Sequence, residues 1–321
     1  MAVSTIDPNG LNVGQLGGTR NVIINGNFAV WQRGTSFTPS SLIFGADRFA
    51  AYKAGASAGD YARSTDVPSG QGFTYSGYFN GADIRQSIEL PAAGERGVFV
   101  DGSKWTLSFW VKAGASGTST ANLGWANGVT ATSVTYWGSA QTYSYSTSWQ
   151  KKTITFTVGG SITGSDAAVL VYISSVAGLY ITGVQLEAGD VATPFEHRSI
   201  GEELSACSRY YQKIVAAPAS PAQTYCDVCN ANQRTTTASY GIFHHPVPMR
   251  QFPTLSYNTL SNLVLYMAAT SNSVSALAYN GFSTTGSGSF LITTSAFGAA
   301  GNGGWLRIGS ATDYIAFDAE L

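Results

Sequence analysis

Apolar and polar side chains alternate with strand spacing through much of residues 21–197. In 104–112, Trp105, Leu107, Phe109 and Val111 alternate with Thr106, Ser108 and Lys112, and Trp110 interrupts the polar side. In 150–158, Ile154, Phe156 and Val158 alternate with Thr153, Thr155 and Thr157, the pattern of a half-buried strand. The run AAVLVYIS at 167–174 is apolar on both sides and predicts a central strand. Tyr180, Val184 and Leu186 alternate with Ile181, Gln185 and Glu187. Turn signals such as Ser69-Gly70, Gly159-Gly160 and Gly183 separate these runs, with no helical period between them. Short strands joined by turns predict an all-β sandwich.

The period changes at residue 200. Apolar positions become Ile200, Leu204, Cys207, Tyr211 and Ile214, with steps of 4, 3, 4 and 3, one face of a helix. Ser199-Ile200-Gly201-Glu202 has the S-x-x-E form of a capping box. Glu202 and Glu203 suit the positive end of the helix dipole. So short a helix is marginal alone and needs a partner surface. Two partners fit: copies of the same helix on a three-fold axis, making a homotrimeric stem, or the helix's own domain. Strand patterns resume in 215–321, at 235–243, 263–270, 273–280, 289–297, 305–309 and 313–321. Pro253 makes Arg250-Gln251-Phe252-Pro253 an edge or a connection. The predicted order is an N-terminal arm (1–20), a first β-domain (21–198), a short helical stem (199–214) and a second, distal β-sandwich domain (215–321).

Charge narrows the function. Charged residues make up 11% of the 321 residues and the net charge is −1. No basic stripe exists to track a phosphate backbone, which argues against nucleic acid as a partner. No apolar run reaches the about 18 residues of a membrane span, so membrane insertion is not expected. The start, MAVSTIDPNGLNVGQLGG, lacks the basic and apolar regions of a signal peptide and reads as a polar arm. Three cysteines, Cys207, Cys226 and Cys229, predict no disulfide framework and fit assembly in a reducing cytoplasm.

Several segments carry a resemblance. Asn25-Gly26-Asn27-Phe28, Trp31-Gln32-Arg33-Gly34, Asp47-Arg48-Phe49, KWTLSFWVKA (104–113), SWQKKTITFTV (148–158), GVQLEAGDVATPFEHRSIGEEL (183–204), RYYQK (209–213) and PMRQFPTL (248–255) occur in that order. Together they resemble a family of bacteriophage tail and fibre proteins. The resemblance implies a virion appendage with a jelly-roll-like, carbohydrate-binding-like sandwich, docked to tail or baseplate proteins through its arm. It also implies a structural calcium ion held where the NGxF start meets the closing strand, with Asn25, Asn27 and Glu187 as candidates. The closing GVQLE departs from the Asp-Asp-Val of many such modules. No other cofactor is expected.

Candidate chemistry is sparse. Gly55-Ala56-Ser57-Ala58-Gly59 matches G-x-S-x-G but lacks a strand–turn–helix setting. Asp47, Asp83, Glu89 and Glu187 would have to converge to about 5–9.5 Å to hydrolyse a glycoside. Cys226-x-x-Cys229 has no second metal-binding pair, and His244 and His245 are adjacent, so in a strand they point to opposite faces. Sugars are bound by flat rings and amide or hydroxyl groups. The segment from Trp125 to Trp149 supplies Trp125, Tyr136, Trp137, Tyr143 and Tyr145 among Asn122, Asn127 and Gln141. Tyr225, Tyr257, Tyr279 and Phe282 form a second candidate group. The expectation is a non-enzymatic fibre adhesin for a host-surface glycan. A purely structural virion component and a capsule hydrolase are the rivals.

Overall fold

The computed structural model describes residues 20–90, 97–127, 134–160, 162, 167–216, 225–267, 270–281 and 283–320. Residues 1–19 of the arm expected at 1–20, and Phe282, lie outside the described residues. The chain forms two units, residues 1–204 with 321 and residues 205–320. No described helix is long and apolar enough to cross a membrane.

Up to Ala188 the described residues of the first unit form strands and turns. Its strands are β1 (Ser36–Phe37), β2 (Ile43–Phe44), β3 (Ala50–Tyr52), β4 (Tyr61–Ser64), β5 (Ser76–Phe79), β6 (Asp83–Glu89) and β7 (Lys104–Lys112). They continue with β8 (Gly117–Asn127), β9 (Val134–Tyr136), β10 (Gln141–Tyr145), β11 (Gln150–Thr157), β12 (Ala167–Ile173) and β13 (Leu179–Ala188). One sheet has six strands in the order β1-β4-β5-β13-β7-β11. The other has seven, in the order β10-β8-β12-β6-β3-β2 with β9 also on β8.

The alternation read from the sequence decides what the sheets bury. Trp105, Leu107, Phe109 and Val111 of β7 enter the core, facing Val169, Val171 and Ile173 of β12. The doubly apolar run of β12 does sit centrally, between β8 and β6. Thr106 and Ser108, on the other side of β7, are buried as well. There the Thr106 hydroxyl donates to the Gly189 carbonyl (2.7 Å) in the segment after β13.

Helix α1 runs Ile200–Ser208. Its capping box is formed: the Glu202 amide donates to Ser199 Oγ (3.2 Å) and the Ser199 amide donates to Glu202 Oε2 (2.8 Å). The predicted helical face is not. Nine residues span about 13.5 Å, and Gln212 Nε2 donates to the Ser208 carbonyl where the helix stops. Tyr211 and Ile214 belong instead to β14 (Tyr211–Val215), an antiparallel strand. Cys207 and Tyr211 are buried, whereas Ile200 (63%) and Leu204 (43%) are exposed. The five positions therefore make no common stem face. The 4-3-4-3 spacing misled because YQKIV, with its β-branched and aromatic residues, is better suited to a strand.

The second unit adds β15 (Cys226–Gln233), β16 (Ala238–His244), β17 (Thr254–Tyr257), β18 (Leu263–Met267), β19 (Thr270–Tyr279), β20 (Ser287–Thr294), β21 (Gly303–Ile308) and β22 (Tyr314–Asp318). Where an open sandwich was expected, the main sheet of this unit closes on itself. The order β15-β16-β20-β19-β18-β21 forms a barrel, and β14-β22-β17 forms a separate three-stranded sheet. The core residues are compact: Leu265, Met267, Leu277, Phe290, Ile292 and Leu306. Closing the sheet removes edges that an open sandwich would expose.

Candidate functional site

Three of the segments that carry the resemblance, Asn25–Phe28, Asp47–Phe49 and 183–204, meet in a clasp. Gly26 packs against the backbone of β13, where a Cβ would lie 2.0 Å from the Val184 carbonyl oxygen. Asn25 adopts φ 60°. Its side chain accepts from the Val30 amide (2.9 Å) and donates to the Val30 and Asp47 carbonyls. Asn21 Oδ1 accepts from Ile23 and Leu186 amides, and its Nδ2 donates to the Val184 carbonyl. Gln185 and Glu187 tie down the turn around Pro194. Glu187 accepts from the Thr193 amide and hydroxyl and from Gln185 Nε2. Gln185 Oε1 accepts from the Glu196 amide (2.8 Å).

Arg198 closes the clasp. Its guanidinium donates to the carbonyls of Asn21 and Ile23 and pairs with Glu203 (3.5 Å) and Glu196 (3.7 Å). Glu203 in turn accepts from the Asn25 amide (2.7 Å). Burial holds the Glu203 carboxyl above its usual range, a shift that the Asn25 amide and Arg198 oppose. The proposed calcium ligands do not fit an ion here. Asn25 Oδ1 and both oxygens of Glu187 are occupied by the chain's own donors, and Asn27 Oδ1 accepts from the Ala29 amide (3.3 Å). A guanidinium stands among the carbonyls that a hard cation would seek. Among the described residues no group of three or more His, Cys, Asp or Glu side chains is placed to hold a metal.

Other sequence candidates are also accounted for. Ser57 lies in an exposed turn between β3 and β4, where its amide donates to Asp60 (2.6 Å). Asp47 accepts from the Gln32 amide (3.0 Å). Asp83 and Glu89 lie six residues apart on β6, about 20 Å in an extended strand. That is too far for a paired acid and base. Cys226 and Cys229 are free thiols, and burial pushes Cys229 up to about 12. His244 is exposed and His245 buried. His245 Nδ1 lies 2.9 Å from Gln212 Oε1, and Gln212 Nε2 already donates to two carbonyls, so Nδ1 carries the proton. Its Nε2 is then a buried acceptor without a partner, and burial depresses the imidazole to about 4.

The five rings of the Trp125–Tyr145 segment separate by strand parity. Trp137 and Tyr143 are core residues, and Trp125 and Tyr145 pack against the core. The Tyr143 hydroxyl donates to the Ser174 carbonyl (2.8 Å). Tyr136 alone of the five points outward. It lies on the far face of the seven-stranded sheet, opposite Gly124. Three residues not singled out for binding join it there: Tyr172, Arg85 and Tyr52. Register places Asn122, Tyr172, Arg85 and Ala50 in one row across β8, β12, β6 and β3, with Tyr52 opposite Asp83. The Tyr172 hydroxyl donates to Asp83, and the Tyr136 and Tyr172 rings meet edge-on at 6.2 Å. Burial raises both phenols.

Arg85 distinguishes this face. Its guanidinium lies 5.2 Å from the Tyr172 ring centroid. Among the described residues its side chain has no hydrogen-bond or ion-pair partner, and Nε is buried. An unpaired buried donor beside a half-exposed ring is costly unless something supplies an acceptor. The opposite outer face of this unit, on the six-stranded sheet, contrasts with it. There Lys112 stacks on Tyr180 (4.9 Å) and pairs with Asp66, which also accepts from Trp149 Nε1 (3.0 Å). These charged groups are paired within the chain.

Solved structures resemble part of the chain. A CBM4 structure aligns at 16% identity over 51% of this chain and 98% of that one, with TM-score 0.31. The enzymatically active domain of tailspike protein 4 of bacteriophage CBA120 aligns at 15% over 53% of this chain, with TM-score 0.32. The alignment spans 21% of that tailspike chain. TmCBM61, solved with β-1,4-galactotriose, aligns at 17% over 53% of this chain and all of that one, with TM-score 0.29. These likenesses are to β-rich architecture alone. No family model and no curated protein matches.

In the second unit, Tyr257 and Tyr279 line an open groove of about 640 Å³ with Phe252. The Tyr279 hydroxyl is buried without a partner. Tyr225 is exposed beside Arg307, 5.4 Å from its ring centroid.

Proposed function

We propose that the outer face of the seven-stranded sheet binds glycan, and that the protein is a non-enzymatic adhesin of a virion appendage. One observation carries the first part: Arg85 presents an unpaired buried Nε beside Tyr172, flanked by Tyr136, Asn122 and Asp83. The tyrosines supply faces for a pyranose ring, Arg85 and Asn122 supply donors, and Asp83 supplies an acceptor. The separation of Asp83 from Glu89 supports binding over hydrolysis. The tail-fibre resemblance of residues 21–255 supports the virion setting. Such a face is shallow, and copies displayed together on one particle would raise its avidity by orders of magnitude.

A glycan array probed with the full chain tests the reading. Selective binding is expected, weakened about tenfold or more by Tyr172→Ala, an effect of about 1.4 kcal/mol. Binding to no glycan, or equal binding by Tyr172→Ala, would favour a purely structural component. Release of reducing ends from a bound polysaccharide would favour the hydrolase.

A further inference from the structure

The barrel of the second unit has an opening in its wall. β15 and β16 are paired from Gln233–Ser239 as far as Asn230–Ile242, and there the pairing stops. Both strands continue, β15 to Cys226 along β21 and β16 to His244 along β20. The β15–β21 register shifts between Asp227 and Cys229. A bulge of this kind bends its strand, and on this side of it β15 stays paired with β21 while its pairing with β16 has ended. The two strands part like a fork. The cleft between them measures about 490 Å³, within the range of about 300–1,000 Å³ for small-ligand sites.

The lining is mixed. Asn230, His244 and Asp227 offer polar atoms, and Ile242 and Trp305 offer apolar surface. Peptide groups of β15 and β16 that no longer pair with each other add donors and acceptors along the fork. Register sets Ile242, Asn230, Trp305 and Tyr266 in one row across the outer wall. Trp305 is 43% exposed, and its ring lies 6.0 Å from that of Tyr266 at 30°. Compact core residues explain why these rings face outward: Leu265, Leu306 and Ile292 already fill the interior.

Two features select the ligand. Arg307 holds the Asp227 carboxylate at 2.6 Å and lies 4.8 Å from the Tyr266 ring centroid. The rim's charges are thus paired with each other, which favours an uncharged ligand. The part of β15 that does not pair with β16, Cys226 to Cys229, is four residues, about 13 Å long. That is shorter than a typical strand of about 5–6 residues and unsuited to an inserted peptide. We propose that this fork is a second binding site, for a neutral oligosaccharide of two or three sugars stacked on Trp305. It goes beyond the sheet-face reading and uses none of its residues.

Titration calorimetry and tryptophan fluorescence on the full chain test it, with neutral trisaccharides of galactose, glucose, mannose and N-acetylglucosamine as probes. The Tyr172→Ala chain isolates the fork, and at least one probe should bind it and change the fluorescence. Trp305→Ala should weaken that binding about tenfold, and Trp305→Phe should restore most of it. Unchanged thermal unfolding confirms that both variants fold. No binding by the Tyr172→Ala chain, or equal binding after Trp305→Ala, overturns the proposal. Neither result bears on the sheet face, which the Trp305→Ala chain reports separately.

Discussion

Arg198 and Arg85 lie in the same unit and are used in opposite ways. Arg198 is bonded to two carbonyls and two carboxylates of its own chain. Arg85 rests on Tyr172 with no described partner for its guanidinium. The first arrangement spends its polarity inside the fold. The second leaves it available to something outside. The resembling segments Asn25–Phe28 and 183–204 meet at the first arginine, and candidate ligand groups surround the second. Resemblance in the clasp therefore identifies a way of closing the sandwich, whereas binding must be sought on a face whose polar atoms are unspent.

The largest expected effect breaks the clasp. Arg198→Met strands Glu203 and the carbonyls of Asn21 and Ile23, and should cost about 3–5 kcal/mol in denaturant unfolding. A chelator should leave the unfolding temperature of the wild type unchanged, since the Asn25, Asn27 and Glu187 side chains are engaged by the chain's own donors. A metal-dependent melting temperature would contradict that reading of the three side chains.

The next effect is a pH dependence in the second unit, where His245 is another buried group with a spare atom. Its imidazole is depressed to about 4 in the fold, against 6.5 when free. Between those values the unfolded chain binds the proton and the native chain does not. Stability is full above pH 6.5 and is lost as pH falls toward 4. About 2 kcal/mol should disappear between pH 7 and pH 5, and His245→Gln should flatten that slope in urea unfolding.

Arg85→Met sharpens the comparison directly. It should lower glycan affinity about tenfold, or about 1.4 kcal/mol, and leave stability unchanged or slightly raised, because it removes an unpaired donor. A loss of stability like that of Arg198→Met would show that Arg85 is structural. The smallest effect is at the helix. Ile200→Ser removes an exposed side chain and should change stability by less than about 0.5 kcal/mol. If sedimentation instead showed a trimer that this change dissociates, the exposed end of α1 would be an interface after all.

Much of the fold was legible because strand parity is a local property. Trp105, Leu107, Phe109 and Val111 alternate in sequence and enter one core, and the doubly apolar 167–173 run is central in its sheet. The capping box at Ser199 and Glu202 was equally local. The helix end was not, because Ile200 to Ile214 satisfies a helical spacing while its last residues pair with β22, far along the chain. The candidate site was half legible. Aromatic density marked the Trp125–Tyr145 segment, but Trp137 and Tyr143 turned inward and only Tyr136 outward. Tyr172 gave no local signal, since it sits in an apolar run. The alternation in β6 placed Asp83, Arg85, Ser87 and Glu89 on one side, and that was the clue available for Arg85.

By itself, the sequence determined an all-β protein of two β-rich parts and a capped helix start. These features follow from side-chain period, turn residues and composition, which act between neighbours. Tertiary structure decided which rings face solvent, that Arg198 ties Asn21 and Ile23 to Glu196 and Glu203, that the second sheet closes, and that β15 and β16 part. Each of these depends on register between distant strands, and a shift of one residue would exchange inside for outside.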